Sequence, residues 1–116
     1  MTHKDLNIYK LSIDLVTDIY KLSEQFPESE GFGLTAQIRR AAVSVPSNIA
    51  EGSGRNSTKD FLRFLHIASG SLSEVDTQIE IAQRLGYVSN TEEIKNKITS
   101  LQKMLYRLKQ SLKNKL

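Results

Sequence analysis

Cysteine is absent from this 116-residue chain, which excludes disulfides, thiolate metal sites and cysteine nucleophiles. The two histidines, His3 and His66, are too few for a three-histidine metal site within one chain. No apolar run exceeds three residues, so nothing reads as a membrane span. The stretch Met1-Thr2-His3-Lys4-Asp5 has no apolar segment behind it, so no signal peptide and a cytoplasmic location are expected. Glu51-Gly52-Ser53-Gly54-Arg55 lacks the lysine and the spacing of a phosphate-binding loop. What remains is 39% hydrophobic and 25% charged, the balance of one folded domain rather than a disordered chain.

Proline and glycine are scarce, and they cluster at Pro27 to Gly33, at Gly52 and Gly54, and at Gly86. Those clusters divide the chain into four segments of helical period, at about 5–25, 34–53, 57–85 and 90–115. The first carries two stripes, Leu6-Tyr9-Ile13-Val16-Tyr20 and Leu11-Leu15-Ile19-Leu22-Phe26, and so predicts a helix with two buried faces. The second carries Leu34, Ile38, Ala41, Val45 and Ile49 in one phase across Pro46, which predicts one helix kinked there rather than two short ones. The third and fourth repeat with strict four-three spacing, through Phe61, Leu65, Ala68, Leu72, Val75, Ile79 and Ala82, and through Ile94, Ile98, Leu101, Leu105, Leu108 and Leu112. Ser57 with Asp60, and Ser89 with Glu92, read as capping boxes, and Gly86 as a C-cap. Four amphipathic helices with short loops predict an all-α, up-down antiparallel four-helix bundle.

The second helix departs from a plain bundle. Between Leu34 and Ala50 its only charges are Arg39 and Arg40. On a helical wheel Gln37, Arg40, Ser44, Asn48, Glu51 and Arg55 fall within an arc of roughly 80°, with apolar residues on both sides. Such a stripe is expected to be half-buried, where each unpaired polar group costs about 1–3 kcal/mol. A hydrogen-bonded network fixing register or a subunit contact accounts for it, as does a ligand groove. Glu74 and Asp76 offer the opposite charge for Arg39 or Arg40, and Gly70 in mid-helix suggests close approach by another helix. The apolar excess on the first helix and the missing charged face on the second predict a homo-oligomer.

Charge is uneven along the chain. Residues 1–93 sum to −4, whereas residues 94–116 hold seven Lys or Arg and no acid. A basic end suits a phosphate backbone, and a solvated helix face suits the same residues. No histidine, acid or hydroxyl arrangement reads as a catalytic set: His66 has no acid three or four residues away on either side.

The run from Gly33 to Gly52, reading through Gln37-Ile38-Arg39-Arg40-Ala41-Ala42-Val43-Ser44-Val45-Pro46-Ser47-Asn48-Ile49-Ala50-Glu51, resembles the signature of the four-helix bundle proteins, also called 23S ribosomal RNA intervening-sequence proteins. Phe26-Pro27, Arg55, Phe64-Leu65, Ala68-Ser69-Gly70-Ser71-Leu72, Glu74 and Leu85-Gly86-Tyr87 extend the resemblance over nearly the whole chain. Ala36 and Val45 depart from it mildly, where serine and isoleucine are common. The resemblance implies a bundle that assembles as a ring-shaped homopentamer. It places some relatives inside intervening sequences of bacterial 23S rRNA genes. It also relates the chain to the accessory protein of diversity-generating retroelements, whose basic ring is taken to bind nucleic acid and a reverse transcriptase. Gln37, Arg40, Ser44, Asn48, Glu51, Arg55 and Glu74 match the polar signature, to which no catalytic role attaches.

Two readings follow. In one the protein is a non-enzymatic oligomer that binds RNA or DNA through Arg39, Arg63, Lys103, Arg107 and Lys109. In the other it is a protein-interaction scaffold without nucleic-acid binding. Expected partners are further copies of the chain, RNA or DNA, and a protein such as a reverse transcriptase; no metal or cofactor is expected.

Overall fold

Four helices make up almost all of the chain, in a computed structural model that describes residues 2–116. Met1, where the reading for a leader begins, lies outside the described residues. Helix α1 spans Asn7–Ser23, α2 Leu34–Ser53, α3 Thr58–Arg84 and α4 Glu92–Lys113. Two short 3-10 turns, His3–Asp5 and Glu28–Glu30, complete the regular structure, and no strand occurs among the described residues. The fold is all-α.

Each helix packs on two neighbours: α1 on α2 and α4, and α3 on α2 and α4. Individual contacts give the sense of each pairing. Arg39, early in α2, reaches Tyr20 and Ser23, late in α1. Lys97, early in α4, pairs with Asp18, late in α1. Lys109, late in α4, meets Ser69 in the first half of α3. Neighbours therefore run antiparallel, in a body 46 Å long and 24 by 20 Å across.

The core is the set of stripes. Leu15, Ile19, Ile38, Val45, Ile49, Leu65, Leu72, Val75, Ile79 and Leu101 are fully buried. Of the two stripes on α1, only the one through Leu15, Ile19, Leu22 and Phe26 is buried. The other is partly open, with Ile13 and Tyr20 38% and 41% exposed. The expected second buried face is therefore half-covered within one chain, because no fifth helix lies over it.

Helix α2 runs without interruption through Pro46, which is itself buried. The proline leaves the Ala42 carbonyl without its helical donor, yet Ala42, Val45 and Ile49 hold the helix against the core. At its start the Glu30 side chain, from the preceding loop, accepts the Leu34 N–H at 3.2 Å. At its end Gly52 lies against α3: a Cβ there would stand 2.8 Å from Phe64 Cβ and 2.9 Å from Phe61 Cδ1.

Ser57 caps α3, its Oγ accepting the Asp60 N–H at 3.0 Å. Gly86, at φ +78°, ends it. Tyr87 N–H reaches the Ala82 carbonyl at 2.9 Å and Gly86 N–H the Gln83 carbonyl at 3.0 Å, a full Schellman motif. The expected Ser89–Glu92 box does not form. Glu92 is the first residue of α4 and Thr91 precedes it, making no side-chain cap bond. The chain leaving the Schellman turn uses Ser89 instead as a backbone acceptor for Gln83 Nε2 at 3.4 Å.

Candidate functional site

The polar stripe of α2 divides into an ordered centre and an open rim. Ser44 and Asn48 are half-buried, while Gln37, Arg40, Glu51 and Arg55 are exposed, so only the centre meets the expectation of a half-buried stripe. Ser44 Oγ and Ser71 Oγ lie 2.8 Å apart across the α2–α3 seam. Asn48 Nδ2 donates to the Ser44 carbonyl at 2.8 Å and to Ser44 Oγ at 2.9 Å. Glu51 and Arg55 pair with each other at 2.5 Å on the exposed face. An exposed pair one turn apart adds only a few tenths of a kcal/mol (~0.3–0.5) to the helix.

Above Ser44 and Ser71 the seam opens into a recess of about 360 Å³, whose rim holds Gln37, Arg40, Glu74 and Gln78. The expected ion pairs across it are absent: among the described residues neither Arg40 nor Glu74 is in an ion pair, and Asp76 is in none. Gln78 Oε1 is buried here without a hydrogen-bond donor among the described residues. Gly70, one turn before Glu74, also departs from expectation. It is exposed, and a Cβ there would meet nothing within 4 Å, so no helix of the same chain approaches it.

Arg39 is tied into its own chain. Its Nε donates to Ser23 Oγ at 2.8 Å and its Nη2 to the Tyr20 carbonyl at 3.2 Å. The guanidinium lies 4.6 Å over the Tyr20 ring. This residue latches α2 to α1 and is poorly placed to meet a ligand, in contrast to its place among the expected contacts.

The other basic candidates gather at one end. Antiparallel packing sets the start of α3 beside the end of α4. Arg63 lies 4.4 Å over the Phe64 ring and Arg55 5.0 Å over the same ring, two cations on one aromatic side chain. Lys109 Nζ donates to Ser69 Oγ at 2.9 Å. Burial and the charge of Lys113 lower the Lys109 pKa. Burial, and then Lys109 and Lys113, lower that of His66. Lys103 and Arg107 are exposed on α4 in no ion pair among the described residues. Lys97, at the opposite end, is bound to Asp18, and that bond raises its pKa.

Divided at the helix midpoints, residues 2–15, 44–71 and 103–116 hold ten Lys or Arg against four Asp or Glu. Residues 16–43 and 72–102 hold six against nine. The bundle is charge-polarised along its long axis. Arg55, His66, Phe64 and Lys113 join this end without having been singled out together in the sequence. The antiparallel order of α3 and α4 was the signal that could have found them.

The sequence matches the 23S rRNA-intervening sequence protein family over residues 4–107. The chain belongs to that family. The intervening-sequence protein is also similar to a solved structure, a protein of unknown function from the S23 ribosomal protein family of Bacteroides thetaiotaomicron. The two share 25% identity and a TM-score of 0.81, over 89% of this chain and 95% of that one. No curated protein matches the sequence. Lys109, Lys113 and Lys115 lie beyond the span shared with the family.

Chemically, this member of the family offers a cationic end and a polar recess whose rim residues Arg40 and Glu74 are in no ion pair among the described residues. No group of three or more His, Asp or Glu able to hold a metal ion occurs among the described residues. No helix among them is long and apolar enough to cross a membrane.

Proposed function

We propose that this intervening-sequence protein is a non-enzymatic, cytoplasmic homo-oligomer, a ring of five as the family resemblance implies, that binds nucleic acid through its basic end. The observation that carries this reading is the polarity of charge: ten basic against four acidic residues in one half of the bundle. A ring of parallel copies would place these ends on one face and multiply their field. Arg55 and Arg63, held on Phe64 and each paired with one acid (Glu51 and Asp60), keep further guanidinium N–H groups suited to phosphate oxygens. Lys103, Arg107 and Lys109 extend the same surface along α4. Contacts to the backbone rather than to base edges imply binding with little sequence preference.

The test is fluorescence anisotropy with labelled single-stranded RNA, duplex RNA and duplex DNA. Binding through about six or more phosphates weakens some 10³-fold or more between ~50 and ~200 mM salt. Light scattering on the same sample reads the oligomer. Salt-steep binding supports the reading, and no binding at the lower salt refutes it. A second reading, a protein-interaction scaffold, draws on Phe32. This side chain stands fully exposed between Gly31 and Gly33 at the acidic end. Capture of a partner protein that is lost in Phe32→Ser, without any nucleic-acid binding, would favour the scaffold.

A further inference from the structure

We propose that copies of this chain meet head to tail, with the α1–α2 margin of one copy against the α3 margin of the next, and with Arg40 of one copy paired to Glu74 of its neighbour. The proposal rests on the oligomeric reading above and names the surfaces that make it.

Two margins flank the outer edge of α2. On one side Ile13, Tyr20 and Val43 are 38%, 41% and 40% exposed. On the other, Ile67 and Ile81 of α3 are 42% and 43% exposed. Neither margin is covered within the chain, and the two are different surfaces. A contact between different surfaces leaves each copy with one of each still free, and such contacts repeat until a ring closes.

The margins are complementary in charge. Arg40 stands between the two: it borders the α1–α2 groove with Tyr20, Ala36 and Val43, and it shares the rim of the α2–α3 recess with Glu74 of its own chain. Neither is in an ion pair among the described residues. Gln78 Oε1 lies in the recess that Glu74 borders, one turn further along α3, and lacks a donor among the described residues. A guanidinium from the next copy brings five N–H groups, enough for the Glu74 carboxylate and for Gln78 Oε1 together.

The margins are also complementary in shape. Gly70 stands between Ile67 and Glu74 on the outer side of α3, where a Cβ would meet nothing. Glycine weakens a helix interior, and nothing in its own chain requires it at this position. A bulky neighbour such as Tyr20 of the next copy crossing α3 at Gly70 supplies the requirement.

Sedimentation velocity tests this with wild type, Arg40→Glu, Glu74→Arg, an equal mixture of the two variants, and Gly70→Trp. Each single charge variant is expected to raise the dissociation constant about a hundredfold or more, because like charges then face one another. Mixing them restores opposite charges across the contact, and the two variants then associate with each other. Gly70→Trp is expected to dissociate while keeping wild-type helical content by circular dichroism, since the added side chain meets nothing at home. Single variants that keep the wild-type assembly would overturn the proposal. So would a mixture that stays dissociated while the double variant in one chain assembles, because that places the pair within a protomer. A wild-type monomer would instead refute the oligomeric reading itself.

Discussion

Glycine-to-alanine substitution should act with opposite sign at two helical sites of this protein. At Gly52 a Cβ would lie 2.8 Å from Phe64 Cβ, 2.9 Å from Phe61 Cδ1 and 3.3 Å from the Phe61 carbonyl oxygen. Two of those atoms are fixed by the α3 backbone, so the helices must separate locally. Overpacking of this kind costs about 1–3 kcal/mol. The gain from replacing glycine in a helix is at most about 1 kcal/mol, and less in the last turn, where Gly52 sits. The net for Gly52→Ala is then about 1–2 kcal/mol of destabilisation. For a chain near this size each kcal/mol is worth roughly 4 °C of melting temperature, which gives a fall of about 4–8 °C. At Gly70 nothing lies within 4 Å of the new methyl group. In the dissociated protomer only the helical gain of up to about 1 kcal/mol remains, so at the dilute end of the series the melting temperature rises by up to about 4 °C. The assay is thermal and urea unfolding followed by circular dichroism over a dilution series, since assembly adds a concentration-dependent contribution. A neutral or stabilising Gly52→Ala would refute the close-approach account of the α2–α3 crossing.

Charge reversal at the basic end, as in Arg63→Glu or Lys109→Glu, should weaken nucleic-acid binding across all sequences and lower the salt slope by about one for each phosphate no longer engaged, read by anisotropy. Arg39→Ala should leave that binding unchanged and lower the melting temperature, because Arg39 serves Ser23 and Tyr20 of its own chain. Lys97→Met removes the half-buried partner of Asp18 and should cost about 1 kcal/mol in urea unfolding, at the upper end for ion pairs open to solvent. Tyr87 has its pKa raised above 10.0, chiefly by its hydrogen bond to Glu30, then by burial and the Glu30 charge. Its contribution is present below that pH and lost as pH rises through the folded-state value. Tyr87→Phe should therefore flatten the alkaline fall in stability above pH 10, measured by urea midpoints at stepped pH.

The helices were legible where burial repeats in step with the backbone. The seams of α3 and α4, from Phe61 to Ala82 and from Ile94 to Leu112, face the core because four-three spacing puts them on one side. Continuity of α2 through Pro46 was legible from the unbroken phase of Ala41, Val45 and Ile49. The α4 cap was not, because it depends on how the chain leaves the Gly86 turn rather than on residue type. The roles of Gly52 and Gly70 were not separable either: both read as helical glycines, and only the crossing of α2 over Phe61 and Phe64 tells them apart. At the candidate site the basic residues were visible as a count. That Arg39 is spent on Tyr20 and Ser23, and that Arg63 and Lys109 share one end, depends on contacts between residues far apart in sequence.

Glu30 has a consequence for motion. One of its carboxylate oxygens holds the Leu34 N–H, and the other accepts Tyr87 Oη at 2.8 Å. A single side chain thus joins the α1–α2 connection to the α3–α4 connection, with Phe26 and Tyr87 rings 5.7 Å apart beneath it. At the opposite end the α2–α3 connection is the short stretch from Gly54 to Ser57. Thermal opening should therefore be lopsided, with the acidic end breathing as one cooperative unit and the cationic end fraying helix by helix. A surface that must settle onto a long, irregular polyanion gains from that second kind of freedom.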